Sequence, residues 1–135
     1  MKTNNSTILK TNWHYYLILL LVVEKTIQHI VVTLAFYFNW TGIASTVAVS
    51  PIALMILGGI VAVLFAVSLW AMVTKRTWSI NLVTALALFD FIGEFVAQGR
   101  IGIAITVSFI VATLLLILTA MYRKQLGRIA ILEAQ

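Results

Sequence analysis

The stretch PIALMILGGIVAVLFAVSLWAMV, residues 51–73, decides the fold of this chain. It contains no charged residue, and it is long enough for a helix to cross a hydrocarbon core of about 30 Å. Its apolar residues do not alternate with polar ones, so its pattern is typical of a helix and not of a membrane-spanning strand. Pro51 stands at its start, where a missing backbone N–H costs little. We therefore predict a transmembrane helix over residues 52–73.

Three further apolar stretches of similar length surround this one, at residues 15–38, 78–98 and 101–122. The composition agrees, because 62% of the residues are hydrophobic and 10% are charged, whereas soluble domains have about 45–50% and about 25%. The sequence therefore predicts one domain, residues 1–135, that is all-α and forms an integral membrane four-helix transmembrane bundle. A short polar tail precedes it and an amphipathic tail follows it, and Gly99 suits a helix C-cap.

The basic residues are distributed unequally about the four predicted spans. One side carries seven of them: Lys2, Lys10, Lys75, Arg76, Arg123, Lys124 and Arg128. The other side carries only Arg100. Because lysine and arginine accumulate on the cytoplasmic side of membrane proteins, both termini are predicted to be cytoplasmic, in a prokaryotic cytoplasmic membrane. This topology also explains the net charge of +5, so we expect the lipid bilayer as partner and no nucleic acid.

The first span carries several polar and ionisable residues, although a charge near the bilayer centre costs about 2.5–3.5 kcal/mol. Glu24 and Gln28 are four residues apart and share one helix face. Lys25 and His29 share the adjoining face, rotated by about 100°. These four residues are candidates for binding a proton, a cation or a substrate.

The third span adds three more candidates, Asp90, Glu94 and Gln98, which recur every four residues and form one polar stripe. At a rise of 1.5 Å per residue, Lys25 and Asp90 lie at similar depths of about 16 and about 18 Å. His29 and Glu94 likewise match at about 22 and about 24 Å. We therefore predict two pairs, Lys25 with Asp90 and His29 with Glu94. Arg100 lies at the rim and could reach back toward Gln98 or Glu94.

The charges within the spans do not balance, because three carboxylates accompany one lysine. A medium of low dielectric constant resists this imbalance by keeping a carboxyl protonated, by protonating a histidine or by binding a cation. Such a group is a common basis of proton relays and cation sites in membranes. The alternative is structural, since buried ion pairs and hydrogen bonds also fix helix packing.

Small residues form a stripe in two helices and indicate close helix contacts. In the second span the stripe is Gly58, Ala62 and Ala66, and in the fourth it is Ala104, Ser108 and Ala112. The chain has no cysteine, which excludes disulfides and thiolate metal sites. No metal site and no cofactor are predicted, since the two histidines lie about 22 Å apart along one helix.

Three functions fit these observations. The first is a transporter or channel for a proton, a cation or a small cationic solute, acting as a homo-oligomer because four helices seldom enclose a pathway alone. The second is an accessory or assembly subunit, whose unbalanced acids pair with a partner membrane subunit. The third is a membrane enzyme that acts on a lipid-soluble substrate by general acid–base chemistry. It ranks last, because no nucleophile or catalytic residue can be assigned.

Overall fold

Four α helices account for most of the chain in a computed structural model, which describes residues 5–99 and 106–133. They are α1 (Asn5–Phe38), α2 (Pro51–Val73), α3 (Ser79–Gln98) and α4 (Val107–Glu133). A short 3₁₀ helix (Trp40–Ser45) lies between α1 and α2, and the described residues contain no strand. Each α helix is long and apolar enough to cross a membrane. The predicted all-α, four-helix transmembrane bundle is therefore confirmed.

Two helices are longer than the spans predicted from the sequence. α1 contains 34 residues and begins at Asn5 instead of Tyr15, so most of the predicted polar tail is helical. At 1.5 Å per residue its length is about 51 Å, well above the roughly 30 Å of a hydrocarbon core. α4 continues to Glu133, so the predicted amphipathic tail extends this helix. Its predicted start at Ile101 lies outside the described residues.

The predicted helix ends at Pro51 and Gly99 are confirmed. Pro51 occupies the first turn of α2, and the hydroxyl of Ser50 accepts a hydrogen bond from the N–H of Ala53. At the end of α3, Gly99 has φ 64° and closes the helix in the left-handed conformation that glycine tolerates. Nearby, the N–H of Ala48 donates to the carbonyl of Ala97 at 3.0 Å and joins the α1–α2 connection to α3.

The helices follow one another around the bundle. α1 packs against α2 and α4, and α3 packs against the same two helices. α1 and α3 are therefore diagonal neighbours across the centre, where Ile18, Val22, Phe65, Val83 and Leu115 form the core. A side chain of α1 must be long to reach α3 directly. We name the end at which α1 and α3 begin the basic end, and the opposite end the loop end.

Polar and aromatic side chains tie the helices together at the basic end. The hydroxyl of Tyr15 donates to the carbonyl of Met72, and the Tyr15 ring lies 5.8 Å from that of Tyr122. The guanidinium of Arg123 donates to Asn81 Oδ1 at 2.8 Å. All four helices are thereby connected at this end.

Part of each small-residue stripe serves packing within the bundle. A Cβ atom added at Gly58 would lie 2.9 Å from the hydroxyl oxygen of Thr33 in α1. Ala62 and Ala112 are buried, whereas Ala66 is exposed and Ala104 lies outside the described residues. The hydroxyl of Thr33 is buried without a hydrogen-bond partner. It lies against Gly58, so α1 and α2 approach closely there.

Replacing Gly58 by alanine is expected to lower the free energy of unfolding by about 1–3 kcal/mol, because the new methyl group overpacks the contact with Thr33. Gly59→Ala is the matched control, since its Cβ would lie 3.8 Å from Thr33 Cγ2, an ordinary contact. Reversible unfolding in detergent micelles measures both variants. Equal stability of the two would contradict the close approach, and Thr33→Ala should relieve the defect of Gly58→Ala.

Candidate functional site

Asp90 of α3 is the centre of the candidate site. It is buried, with 7% of its surface exposed. Its Oδ2 atom lies 2.8 Å from Nζ of Lys25, in an ion pair that crosses the bundle from α1. The structure therefore brings together the pair predicted from matching depths, Lys25 and Asp90.

The Lys25 ammonium has a full set of hydrogen-bond acceptors. It is fully buried, and besides Asp90 it donates to the carbonyl oxygen of Ser108 at 3.0 Å and to Ser108 Oγ at 2.8 Å. An ammonium has three protons, and three acceptors surround this one. The sequence pattern placed Ser108 only in a packing stripe. A hydroxyl within an apolar span was the signal that could have indicated its role.

His29 contacts the same carboxylate as Lys25. Its Nε2 atom lies 3.0 Å from Asp90 Oδ1 and 3.1 Å from Oδ2. The predicted pairing of His29 with Glu94 is therefore wrong. The depth calculation assigned one partner to each group. By the same calculation Asp90, at about 18 Å, lies between Lys25 at about 16 Å and His29 at about 22 Å, and its carboxylate contacts both.

An aromatic ring from α2 completes the surroundings of His29. Phe65, which is fully buried, stacks on the imidazole with 5.5 Å between ring centroids and 20° between planes. No chemical signal in the sequence indicated this contact. We name Lys25, His29, Asp90 and Ser108 the central cluster. With Phe65, it joins all four helices at one point.

Glu94 and Gln98 continue the polar stripe of α3 toward the loop end. Both are half-buried, and the amide of Gln98 donates to Glu94 Oε2 at 3.3 Å. Glu94 lies one helical turn beyond Asp90 and is the next ionisable group along α3. Arg100, the predicted rim residue, lies outside the described residues.

Glu24 and Gln28 do not join the central cluster. They line an open groove on α1, whose described lining residues all belong to α1 itself. Glu24 Oε2 and Gln28 Oε1 have no hydrogen-bond partner. The seven candidate residues therefore separate into two groups. The interior group contains Lys25, His29 and the α3 stripe, and the outward pair on α1 is Glu24 and Gln28.

The chemistry of the central cluster follows from its charges. Lys25 and Asp90 neutralise each other, and both carboxylate oxygens of Asp90 have partners. Within the described part of the chain, no three His, Cys, Asp or Glu side chains form a group that could hold a metal ion. A proton can still be accommodated, because an imidazole has a second nitrogen.

The interior group is therefore suited to binding and transferring a proton.

The chain matches no protein-family model, no curated protein and no solved structure.

Proposed function

We propose that the protein is a small oligomeric transporter or channel that moves protons, and that His29 is the group that binds them. The observation that carries this proposal is the contact of both Asp90 oxygens with His29 Nε2, at 3.0 and 3.1 Å, within the membrane-spanning part of the bundle. Ionisable side chains at such depth are costly and mark proton or ion pathways in many membrane proteins.

The position of the proton on the His29 ring follows from the hydrogen-bond donors and acceptors present. An ionised carboxylate only accepts hydrogen bonds, so Nε2 of His29 carries a proton and donates it to Asp90. In the neutral ring Nδ1 then has the free lone pair, and it accepts the transferred proton. Asp90 continues to accept the hydrogen bond from Nε2 when Nδ1 carries the proton.

His29 is the least enclosed of the three ionisable members of the central cluster, which is why we assign proton exchange to it. Its side chain is 16% exposed, compared with 5% for Asp90 and 0% for Lys25. Lys25 is held by three acceptors, so it fixes Asp90 in place and does not exchange. Glu94, with its amide partner Gln98, is the next proton acceptor toward the loop end. We propose that protons pass between His29 and Glu94, with water completing the path.

Other cations fit the central cluster less well. A metal ion or a small organic cation would need carboxylate oxygens for itself, whereas those of Asp90 are occupied by Lys25 and His29. Displacing Lys25 would leave an ammonium buried without its counter-charge, which is strongly unfavourable. A proton needs only the lone pair of one ring nitrogen, and for this reason we favour it.

We also propose the setting in which this transfer takes place. The unequal distribution of basic residues favours a cytoplasmic position for the basic end, in a prokaryotic cytoplasmic membrane. Because four helices seldom enclose a pathway alone, transport is expected to require an assembly of several subunits.

Proton entry into liposomes tests the proposal. The purified protein is reconstituted, a potassium gradient with valinomycin sets a negative interior potential, and trapped dyes report internal pH and sodium. Proton entry is expected to exceed that of protein-free liposomes, with sodium entry unchanged. Proton entry equal to that of protein-free liposomes would rule out proton transport, and a rise in sodium entry would show that the cluster selects a different ion.

A further inference from the structure

The surface of α1 that faces away from the bundle carries polar atoms that the bundle does not use. We name Leu20, Val23, Glu24, Ile27, Gln28, Val31 and Val32 the outer groove. Leu20 and Ile27 are 62% and 57% exposed, so this face contacts whatever surrounds the bundle in the membrane. Its apolar residues suit lipid, whereas Glu24 and Gln28 do not.

The unpartnered atoms in the outer groove are both oxygens. Glu24 Oε2 and Gln28 Oε1 are covered by neighbouring atoms and make no hydrogen bond. Lipid chains offer no donor, and an unsatisfied polar group in hydrocarbon is costly. Two acceptors on one face, one helical turn apart, favour a ligand that supplies hydrogen-bond donors or positive charge.

A second copy of this chain supplies no free positive charge at the depth of Glu24. Lys25 is fully buried and already bound to three acceptors. α2 and α3 contain no lysine or arginine, and those of α4 begin at Arg123, beyond its middle toward the basic end. A two-fold pairing of outer grooves would also place Glu24 opposite Glu24, since such interfaces match a surface with itself. Charge complementarity therefore disfavours self-association through this face.

We propose that the outer groove binds a membrane-spanning helix of a different protein, one that carries a lysine or arginine at the depth of Glu24. The positive group pairs with Glu24 and also donates to Gln28, which lies about 6 Å further along the helix. The apolar side chains of the partner pack against Leu20, Ile27 and Val31. This inference does not depend on proton transport, because it uses a different face of α1.

Synthetic helices test the charge requirement directly. The protein, whose sequence contains no cysteine, is labelled with a fluorescent donor at a Ser45→Cys substitution and reconstituted in phosphatidylcholine liposomes. Two membrane-spanning peptides of leucine and alanine carry an acceptor dye, one with a central lysine and one with leucine there. We expect energy transfer to show about tenfold tighter association of the lysine peptide.

Variants identify the residue responsible. Glu24→Gln is expected to abolish the preference for the lysine peptide, whereas Glu24→Asp retains part of it because the carboxylate remains. Glu133→Gln, which removes an acid outside the predicted spans, should leave the preference unchanged. Thermal unfolding of each labelled protein shows whether the bundle is intact. If Glu24→Gln is not folded, Glu24→Asp is compared with the wild-type protein instead.

Three results would overturn the proposal. The first is equal association of the lysine and leucine peptides with the wild-type protein. The second is an undiminished lysine preference in folded Glu24→Gln. The third is Glu24-dependent energy transfer between two labelled copies of this chain, which would identify a second copy as the occupant. Proton flux is measured in the same liposomes without peptide, so failure of one proposal is distinguishable from failure of the other.

Discussion

Replacing Lys25 by methionine is expected to lower the free energy of unfolding by about 3–5 kcal/mol. Methionine fills much of the space of the lysine stem, so the main loss is electrostatic. Asp90, which is 7% exposed, would keep a negative charge without its cation. Removing one partner of a buried ion pair leaves an uncompensated charge, and this penalty far exceeds the net value of the intact pair.

The double variant Lys25→Met/Asp90→Asn separates charge from packing. With both charges removed, no uncompensated charge remains, and the asparagine carbonyl can still accept from His29 Nε2. We expect this variant to recover most of the stability lost by Lys25→Met alone. Lys124→Met is the matched control, because it makes the same substitution at an exposed position and should change stability by no more than about 0.5 kcal/mol.

Denaturant titration in mixed micelles measures these differences, since the free energy of unfolding varies linearly with denaturant for a two-state transition. The charge argument would be contradicted if Lys25→Met and the double variant were equally unstable, because packing of the lysine stem would then account for the loss. It would also be contradicted if Lys25→Met were as stable as Lys124→Met.

Replacing His29 by glutamine is expected to lower proton flux in liposomes about 100-fold, within the range that a positioned acid or base contributes. Glutamine can donate its amide N–H to Asp90 and preserve that hydrogen bond. It cannot accept a proton near neutral pH, so the exchanging group is lost while the cluster stays paired. The flux measurement uses the potential-driven assay described above.

Glu133→Gln is the control for this flux, because it removes an acid at the end of α4, outside the predicted spans. Its flux should equal that of the wild-type protein. Unfolding in micelles should show that His29→Gln remains folded. A folded His29→Gln protein with wild-type proton flux would show that protons take a path without this residue.

The fold was predictable because membrane solvation imposes length and composition on each helix separately. The stretch from Pro51 to Val73 contains no charge and has one interpretation. Proline and glycine mark ends of α2 and α3 for reasons of backbone geometry that act locally. The extension of α1 back to Asn5 was not predictable in this way, since a helix outside the hydrocarbon does not need apolar residues.

The candidate site was only partly predictable, because the order of helices around the bundle is not a local property. Matching depths correctly paired Lys25 with Asp90, since a long side chain tolerates an error of a few ångströms. The same calculation failed for His29, because Asp90 lies between Lys25 and His29 in depth and its carboxylate contacts both. Ser108 and Phe65 belong to the site because α4 and α2 lie on either side of α1. The spacing of residues along the sequence does not predict which helices are neighbours.

Magic-angle-spinning NMR in lipid bilayers tests most directly whether Asp90 joins His29 at the centre of the bundle. The chain contains one aspartate and two histidines, so ¹³C-aspartate and ¹⁵N-histidine labels in a His14→Gln variant report only on Asp90 and His29. With Nε2 at 3.0 and 3.1 Å from the two carboxylate oxygens, a strong coupling between Asp90 Cγ and a protonated His29 Nε2 is expected. Absence of that coupling, or a ring protonated only at Nδ1, would contradict the central cluster.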